Sequence, residues 1–384
     1  CWQVLPLGPT GFGNSPYQSY SAFAGDPIYI DLGQLADQGL VKKSRLKKAE
    51  WGDDPTRIDY DLVRKEKDAV LRKAFENFKK DKAAARFRSK NADWIEDYAL
   101  FMALKAQNPD LPWYSWDEGL RLRDPKALKA ARQNLQKEID YQVFTQYLFF
   151  RQWGELKKYA GKKGIKIIGD APIYVSADSA DVWANPGLFQ LDSSGMPTAV
   201  AGCPPDAFSE DGQLWGNPLY RWDLMKEDGY SWWISRLKAN LDMFDILRID
   251  HFRGFESYWS IPYADDTAKN GKWCKGPGMD FIKAVNKALP DAAIIAEDLG
   301  LLTPAVYKLL RQSGYPGMKI LQFAFSAGEE SSYLPHNLPN HCVVYTGTHD
   351  NDTTLGWLSS ASEDDLLKVQ DYLGFDTLKD GVWA

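Results

Sequence analysis

Six short apolar runs punctuate a chain that is otherwise mostly polar or helical in pattern. They lie at 2–7, 165–174, 245–250, 292–297, 318–325 and 342–347. Each has strand length and is apolar at successive positions, the pattern of a strand buried on both faces of a parallel sheet. Helical periodicity separates the runs, which predicts βα units. Two intervals are too long for one crossover helix. Residues 41–160 are charged and helical, as in Lys65-Glu66-Lys67-Asp68-Ala69-Val70-Leu71-Arg72-Lys73-Ala74-Phe75, and read as an inserted helical subdomain whose charge runs form a solvated face. Residues 176–235 are rich in Pro, Gly, Trp and Asp with little periodicity. Long irregular segments of this kind usually carry function, and this one is expected to lie over the mouth of a barrel.

The runs end in charge. Phe244-Asp245-Ile246-Leu247-Arg248-Ile249-Asp250-His251-Phe252-Arg253-Gly254 passes from apolar core into an Arg-x-Asp-His cluster. Ala292 to Ala296 leads into Glu297-Asp298, and Cys342 to Tyr345 into Thr348-His349-Asp350-Asn351-Asp352. Asp170 closes a fourth run. A lone Asp at a strand end is more often a helix cap. Several carboxylates, each beside Arg or His, instead suggest a site assembled at the C-terminal ends of (β/α)₈ strands. Two carboxyl groups flanking a glycosidic bond are what its cleavage needs, and a third can bind sugar hydroxyls. Four carboxylates could also hold Mg²⁺ or Ca²⁺, but Arg248 beside Asp250 argues against a metal, because a guanidinium occupies the lone pairs a cation would use.

Composition narrows the classes. The 384 residues carry a net charge of −6, which disfavours a nucleic-acid partner. No apolar run approaches the ~20 residues that span a bilayer. Cys1, Cys203, Cys274 and Cys342 are dispersed without a CxxC pair, so a zinc site is not expected and free thiols are. The 15 tryptophans read either as extra core or as platforms for the apolar faces of sugar rings, and the sequence leaves both open.

Several motifs together resemble one family. Trp2-Gln3-Val4-Leu5-Pro6-Leu7-Gly8-Pro9-Thr10-Gly11 with Asn14-Ser15-Pro16-Tyr17, and Gly169-Asp170-Ala171-Pro172-Ile173-Tyr174-Val175 with Asp178-Ser179-Ala180-Asp181-Val182-Trp183, are similar to the amylomaltases, or 4-α-glucanotransferases. So are Leu214-Trp215-Gly216-Asn217-Pro218-Leu219-Tyr220, Arg248-Ile249-Asp250-His251, Ala296-Glu297-Asp298-Leu299-Gly300 and Gly347-Thr348-His349-Asp350-Asn351-Asp352, in the family's order and nearly end to end. The resemblance implies an α/β fold, a (β/α)₈ TIM barrel. It implies Asp250 as nucleophile, Glu297 as acid/base and Asp350 as transition-state stabiliser. Arg248, His251 and His349 would line the same sugar site. Ser15, Tyr17, Asp170, Asp206, Gln213, Trp215, Asn217 and Pro218 would bind glucan.

The implied reaction transfers α-1,4-glucan segments among malto-oligosaccharides, starch or glycogen chains, with glucose as an acceptor. It needs no cofactor or metal, no nucleic acid and no membrane. A cytoplasmic setting is implied, or a plastid one. An α-glucan hydrolase, with water as acceptor, would use the same carboxylates, and a barrel short of strands could bind glucan without turnover. The resemblance makes 2–7 the second of eight strands and puts the eighth beyond Ala384. Residues 1–384 are therefore expected to form one catalytic barrel domain lacking its first and last strands, with a contiguous slot between 2–7 and 342–347. The loop Pro204-Pro205-Asp206-Ala207-Phe208-Ser209 departs from the family, which has two adjacent aromatics where this chain has Ala207 and Phe208.

Overall fold

The computed structural model describes residues 1–79, 81–109, 111–206, 209–300, 302–326 and 331–374. Its ten strands are β1 (Trp2–Gln3), β2 (Ile167–Ala171), β3 (Ala199–Cys203), β4 (Gln213–Pro218), β5 (Ile246–Ile249), β6 (Ser257–Pro262), β7 (Lys272–Lys275), β8 (Ile294–Ala296), β9 (Gly317–Ile320) and β10 (Cys342–Tyr345). The six apolar runs are β1, β2, β5, β8, β9 and β10. β1, β2, β5 and β8 pair in parallel in that order, and β9 pairs in parallel with β10. The Ala296 N–H donates to the Pro316 carbonyl at 2.9 Å and joins the two groups into one row. This is the barrel-type α/β architecture that the sequence implies. β1 and β10 are the outer members. Among the described residues no backbone bond pairs them, but the Tyr345 hydroxyl donates to Gln3 Oε1 at 2.7 Å across the opening.

Alternation along the strands gives the row two different faces. Ile167, Leu247, Ile249, Ile294 and Ala296 belong to the large outer core shared with the helices. Ile168, Ile295 and Met318 form a separate inner cluster, with Ile246, Val343 and Tyr345 packed against it. Arg248 and Asp250 follow Ile246 at two-residue steps, so they share its inward face. Helix Ser231–Met243 runs into Phe244, whose ring lies where a Cβ on Gly169 would sit, at 2.0 Å. A side chain at 169 would push that ring out of the wall.

The helical stretch 43–162 positions the active-site loop as well as covering the barrel. Helix Tyr60–Asn77 starts at Asp59, which accepts from the Leu62 N–H at 3.0 Å. Its Arg64 grips Asp26 at 2.8 Å and Thr10 at 2.6 Å. In helix Gln136–Lys162, Gln146 exchanges both amide bonds with Gly25, at 2.9 and 2.8 Å. Gln152 does the same with Asp31, at 2.7 and 3.1 Å. Each buried glutamine thus substitutes for a strand neighbour. Together they hold residues 8–31, the segment that carries Ser15 and Tyr17.

The segment 176–235 is more regular than its composition suggests. β3 and β4 within it pair antiparallel, and with β6 and β7 they make a second sheet in the order β4-β3-β6-β7. Gly202, Gly212 and Gly216 interrupt the apolar alternation there, which is why periodicity missed it. The tryptophans divide: Trp113, Trp116, Trp183 and Trp233 are buried in the core, whereas Trp2, Trp51 and Trp273 are exposed. All four cysteines are free. No helix among the described residues is long and apolar enough to cross a membrane.

Candidate active site

The site starts from a buried ion pair. Asp170 on β2 and Arg248 on β5 are register partners. Arg248 Nη1 donates to both Asp170 oxygens at 2.8 and 2.7 Å, and Nη2 donates to Asp250 Oδ1 at 2.8 Å. The Arg248 and Asp170 side chains are 2% and 1% exposed, against 29% for Asp250. One guanidinium therefore bridges a sealed carboxylate below and an accessible one above, through a different nitrogen to each.

Glu297 stands beside Asp250. The register Ile249↔Ala296 between β5 and β8, extended by one residue, places Asp250 opposite Glu297. The chain turns left-handed at His251 (φ 51°, ψ 50°), a conformation that costs a non-glycine residue about 1–2 kcal/mol. In that turn the His251 N–H donates to Glu297 Oε2 at 2.7 Å, and the Leu299 N–H donates to Oε1 at 2.8 Å. The orientation of Glu297 is thus set by backbone.

These surroundings raise both acids above their ordinary values. Burial pushes Asp250 up to about 7, with Glu297, Asp170 and Asp350 adding to the rise and Arg248 opposing it. Burial also raises Glu297, against Arg248 and the two backbone donors. Two carboxylates this close cannot easily both be ionised, so one proton is shared. Arg248 bonds Asp250 directly and has no bond to Glu297, so its charge favours the proton on Glu297. His251 is lowered to about 3 by burial and by Arg253, and it stays neutral.

A third group arrives from both ends of the chain. The Tyr17 hydroxyl donates to Asp170 Oδ2 at 2.6 Å and lies 2.8 Å from His349 Nε2. Burial and Asp170 raise the phenol, so it remains protonated. Its single proton is committed to Asp170, so His349 must carry hydrogen on Nε2 and donate to the Tyr17 oxygen. The two rings stack at 5.7 Å, and His349 Nε2 also lies 3.3 Å from Asp350 Oδ1. Asp350 itself is 67% exposed on a turn that Asn351 closes by accepting from the Thr348 N–H at 2.9 Å.

The residues expected to bind sugar separate into layers. Trp215 is half-buried, with its ring perpendicular to His251 at 4.8 Å and its indole N–H on Gln213 Oε1 at 3.0 Å. Gln213 is exposed. Asn217 and Pro218 are buried, and Asn217 donates to the Val175 carbonyl at 2.8 Å, so these two support the Trp215 strand from beneath instead of facing outward. Ser15 Oγ accepts from the Tyr17 N–H at 3.3 Å. Asp206 is exposed and accepts from the Ser209 N–H at 2.9 Å. Ala207 and Phe208 lie outside the described residues. The sequence reading overlooked Gln18, which reaches the Trp215 carbonyl at 3.4 Å, and Gln322, which holds the Asp352 carbonyl at 2.9 Å. The position of Gln18 directly after Tyr17 was the available signal, whereas nothing marks Gln322. Among the described residues no group of His, Cys, Asp and Glu is arranged to hold a metal.

Comparison with known proteins identifies the family. The profile of the 4-alpha-glucanotransferase family matches residues 1–382. The 4-alpha-glucanotransferase of Thermus thermophilus is 52% identical over 380 residues, covering 97% of this chain and 75% of its own length. That of Clostridium butyricum is 48% identical, covering 97% and 77%. The chloroplastic/amyloplastic enzyme of Solanum tuberosum is 42% identical, covering 97% and 66%. An amylomaltase from Streptococcus agalactiae, solved in complex with acarbose, superposes with a TM-score of 0.94 at 43% identity, covering 97% of this chain and 76% of its own. An arginine-clamped Asp and a backbone-oriented Glu at adjacent strand ends, on a fold and sequence shared this closely, show that the chain belongs to the 4-α-glucanotransferase family.

Proposed function

We propose that this enzyme moves α-1,4-glucan segments between malto-oligosaccharides by a retaining double displacement, with the glycosyl group carried on Asp250. The observation that supports this best is the pairing of Asp250 and Glu297 at the ends of neighbouring strands. Adjacent strands lie ~4.8 Å apart, and retaining enzymes hold their two carboxyl groups ~5–5.5 Å apart, whereas inverting enzymes need a wider gap for water.

In the first step Glu297 gives its proton to the glycosidic oxygen while a carboxylate oxygen of Asp250 attacks the anomeric carbon. The C–O bond breaks, the leaving glucan departs with a free 4-hydroxyl, and an ester to Asp250 forms. In the second step the 4-hydroxyl of an acceptor attacks that carbon. Its proton passes to Glu297, now ionised, and Asp250 leaves as carboxylate. Arg248 keeps Asp250 anionic before attack and stabilises it on departure. Asp350, the exposed carboxylate, offsets the positive charge that builds on the sugar ring in each transition state. Trp215 offers a face to a sugar ring. Protein groups supply every proton and electron pair, so neither step calls on a cofactor. Starch or glycogen chains serve as donors, and glucose or a malto-oligosaccharide as acceptor.

Incubation with maltotriose tests the reading. Products longer than the substrate, with glucose released, are expected. Glucose and maltose alone would mean that water is the acceptor and would overturn the transferase assignment.

A further inference from the structure

His349 and Asp350 are the central pair of a tight turn. The Asn351 N–H donates to the Thr348 carbonyl at 3.1 Å. Asn351 Oδ1 accepts from the Thr348 N–H at 2.9 Å and from its hydroxyl at 3.1 Å. These bonds close the turn on itself and do not attach it to the barrel. On its outer side the turn meets Tyr17 through His349. The Asp350 carboxylate, 67% exposed, goes where this turn goes.

Gln322 lies beneath. It follows β9 in the short helix Leu321–Ala324, and its N–H donates to the Thr346 carbonyl at 3.2 Å, which carries the β9–β10 contact up to the turn. Gln322 is 6% exposed. Its amide nitrogen donates to the carbonyl of Asp352, just after the turn, at 2.9 Å. A Cβ on Gly347, just before the turn, would come within 2.9 Å of the same nitrogen and 3.2 Å of the amide carbon. One amide thus fills the space between the two flanks of the turn, bonding one and packing against the other.

The other two acids take bonds directly, Asp250 from Arg248 and Glu297 from two backbone N–H groups. For Asp350 the equivalent support is one step removed. A donor rooted on β9 sets the height of the turn above the strand ends, and so the gap between Asp350 and a sugar held at Asp250. Reaction rates are sensitive to ~1 Å in such a gap. Glutamine suits the task because it is long, donates, and brings no charge to a site that already holds three acids.

We propose that Gln322 is a positioning residue for Asp350, acting through the 347–352 turn. The proposal rests on the role given to Asp350 above, and its test separates the two. Gln322→Met keeps the length of the side chain and removes the donor. With maltotriose, kcat should fall about 100-fold, the loss expected of a ~1 Å misplacement, with KM within about twofold. Acarbose, whose unsaturated ring copies the flattened sugar of the transition state, should bind about tenfold more weakly by calorimetric titration. On an Asp350→Asn background the same substitution should change acarbose affinity by about twofold at most, because the group it positions is already gone. Gly347→Ala, which presses the amide off Asp352 without altering Gln322, should lower kcat in the same way. Hydrogen exchange in the free enzyme should quicken across 346–352 in both variants and stay unchanged at 249–250 and 296–297. Wild-type kcat in Gln322→Met, an equal loss of acarbose affinity with and without the Asp350 carboxylate, or exchange that quickens equally at all three places would overturn the proposal. If Asp350→Asn itself left kcat and acarbose affinity unchanged, the role of Asp350 would fall instead, and exchange at 346–352 would still judge whether Gln322 holds the turn.

Discussion

Replacing Arg248 by Met keeps the length and apolar volume of the side chain and removes its charge. Asp170 is then a carboxylate sealed from solvent at 1% exposure, with only the Tyr17 hydroxyl left as a side-chain donor. Removing one partner of a buried pair typically costs about 3–5 kcal/mol. At ~2.1 cal/mol/K per residue, 384 residues unfolding together have an entropy near 0.8 kcal/mol/K. The melting temperature should therefore fall by about 4–6 °C. A second effect follows at Asp250, which loses a guanidinium 2.8 Å away. A cation at that distance lowers a carboxyl by about 1–3 pK units, so its loss raises Asp250. Attack requires the ionised form, so the acid limb of kcat/KM should move to higher pH by a similar amount. Adding Asp170→Asn removes the orphaned charge and should recover part of the melting temperature without returning the acid limb. Calorimetry and a pH-rate profile on the single and double variants measure both effects. A single variant with wild-type melting and an unmoved acid limb would refute the role assigned to Arg248.

Asp250→Asn should abolish transfer. Its effect on stability has a defined sign. Burial raises Asp250 and Glu297 together, so the folded pair holds a proton that the unfolded chain has released, and removing the Asp250 charge takes away the mutual repulsion behind part of that rise. The stability from that proton is complete below the unfolded carboxyl value near ~4 and is lost as pH rises through the raised value of the pair. The variant should therefore show a flatter stability slope across that window and melt no lower than wild type at pH 8. A lower melting temperature there would count against the raised acid. Glu297→Gln should slow natural glucans far more than glycosyl donors with activated leaving groups, which need no proton in the first step. Equal loss on both would remove Glu297 from the acid role. Trp215→Ala should raise KM for oligosaccharides. Because the ring also packs on Tyr174 and His251, it should cost stability too, about 1–2 kcal/mol, less than the 3–5 of a fully buried ring. Unchanged KM in urea-stable protein would deny it a place in the sugar site.

The barrel was legible because its inner strands β2, β5, β8 and β9 are buried on both faces and appear as apolar runs, of which those at β5 and β8 end abruptly in charge. The contrast between Ile249 and Asp250, or Ala296 and Glu297, is a step from core to mouth within one residue. The β4-β3-β6-β7 sheet was not legible. Its strands carry Gly202 and Gly216 and alternate poorly, and its pairing between 199–218 and 257–275 is set by tertiary contact. The candidate carboxylates could be named from their strand ends, whereas their division of labour came only from the family resemblance. Distances support the proposed division: Arg248 reaches Asp250 and not Glu297, and the His251 and Leu299 N–H groups reach Glu297 and not Asp250. Asn217 and Pro218 illustrate the limit of motif reading. They share a motif with Trp215, yet they lie beneath it.

The three acids differ in how firmly the fold holds them, and the order has a consequence. Asp250 is fixed by Arg248 and by its own N–H, which donates to the Ala171 carbonyl at 3.0 Å. Glu297 is fixed by two backbone donors. Asp350 has an imidazole nitrogen at 3.3 Å and lies on a turn whose supports come from Thr348, Asn351 and Gln322. A carboxylate 67% exposed on such a turn stays well solvated until a ligand displaces the water. The electrostatic benefit of Asp350 is therefore small in the free enzyme and grows when a sugar covers it, because interactions strengthen as water leaves. Bound sugar should order this turn more than the strand ends. Hydrogen exchange followed with and without acarbose should show protection rising most across 346–352, with little change at 249–250 and 296–297. Protection that rises equally at all three acids, or chiefly at Asp250, would show that the site is held uniformly and that Asp350 needs no substrate to set it.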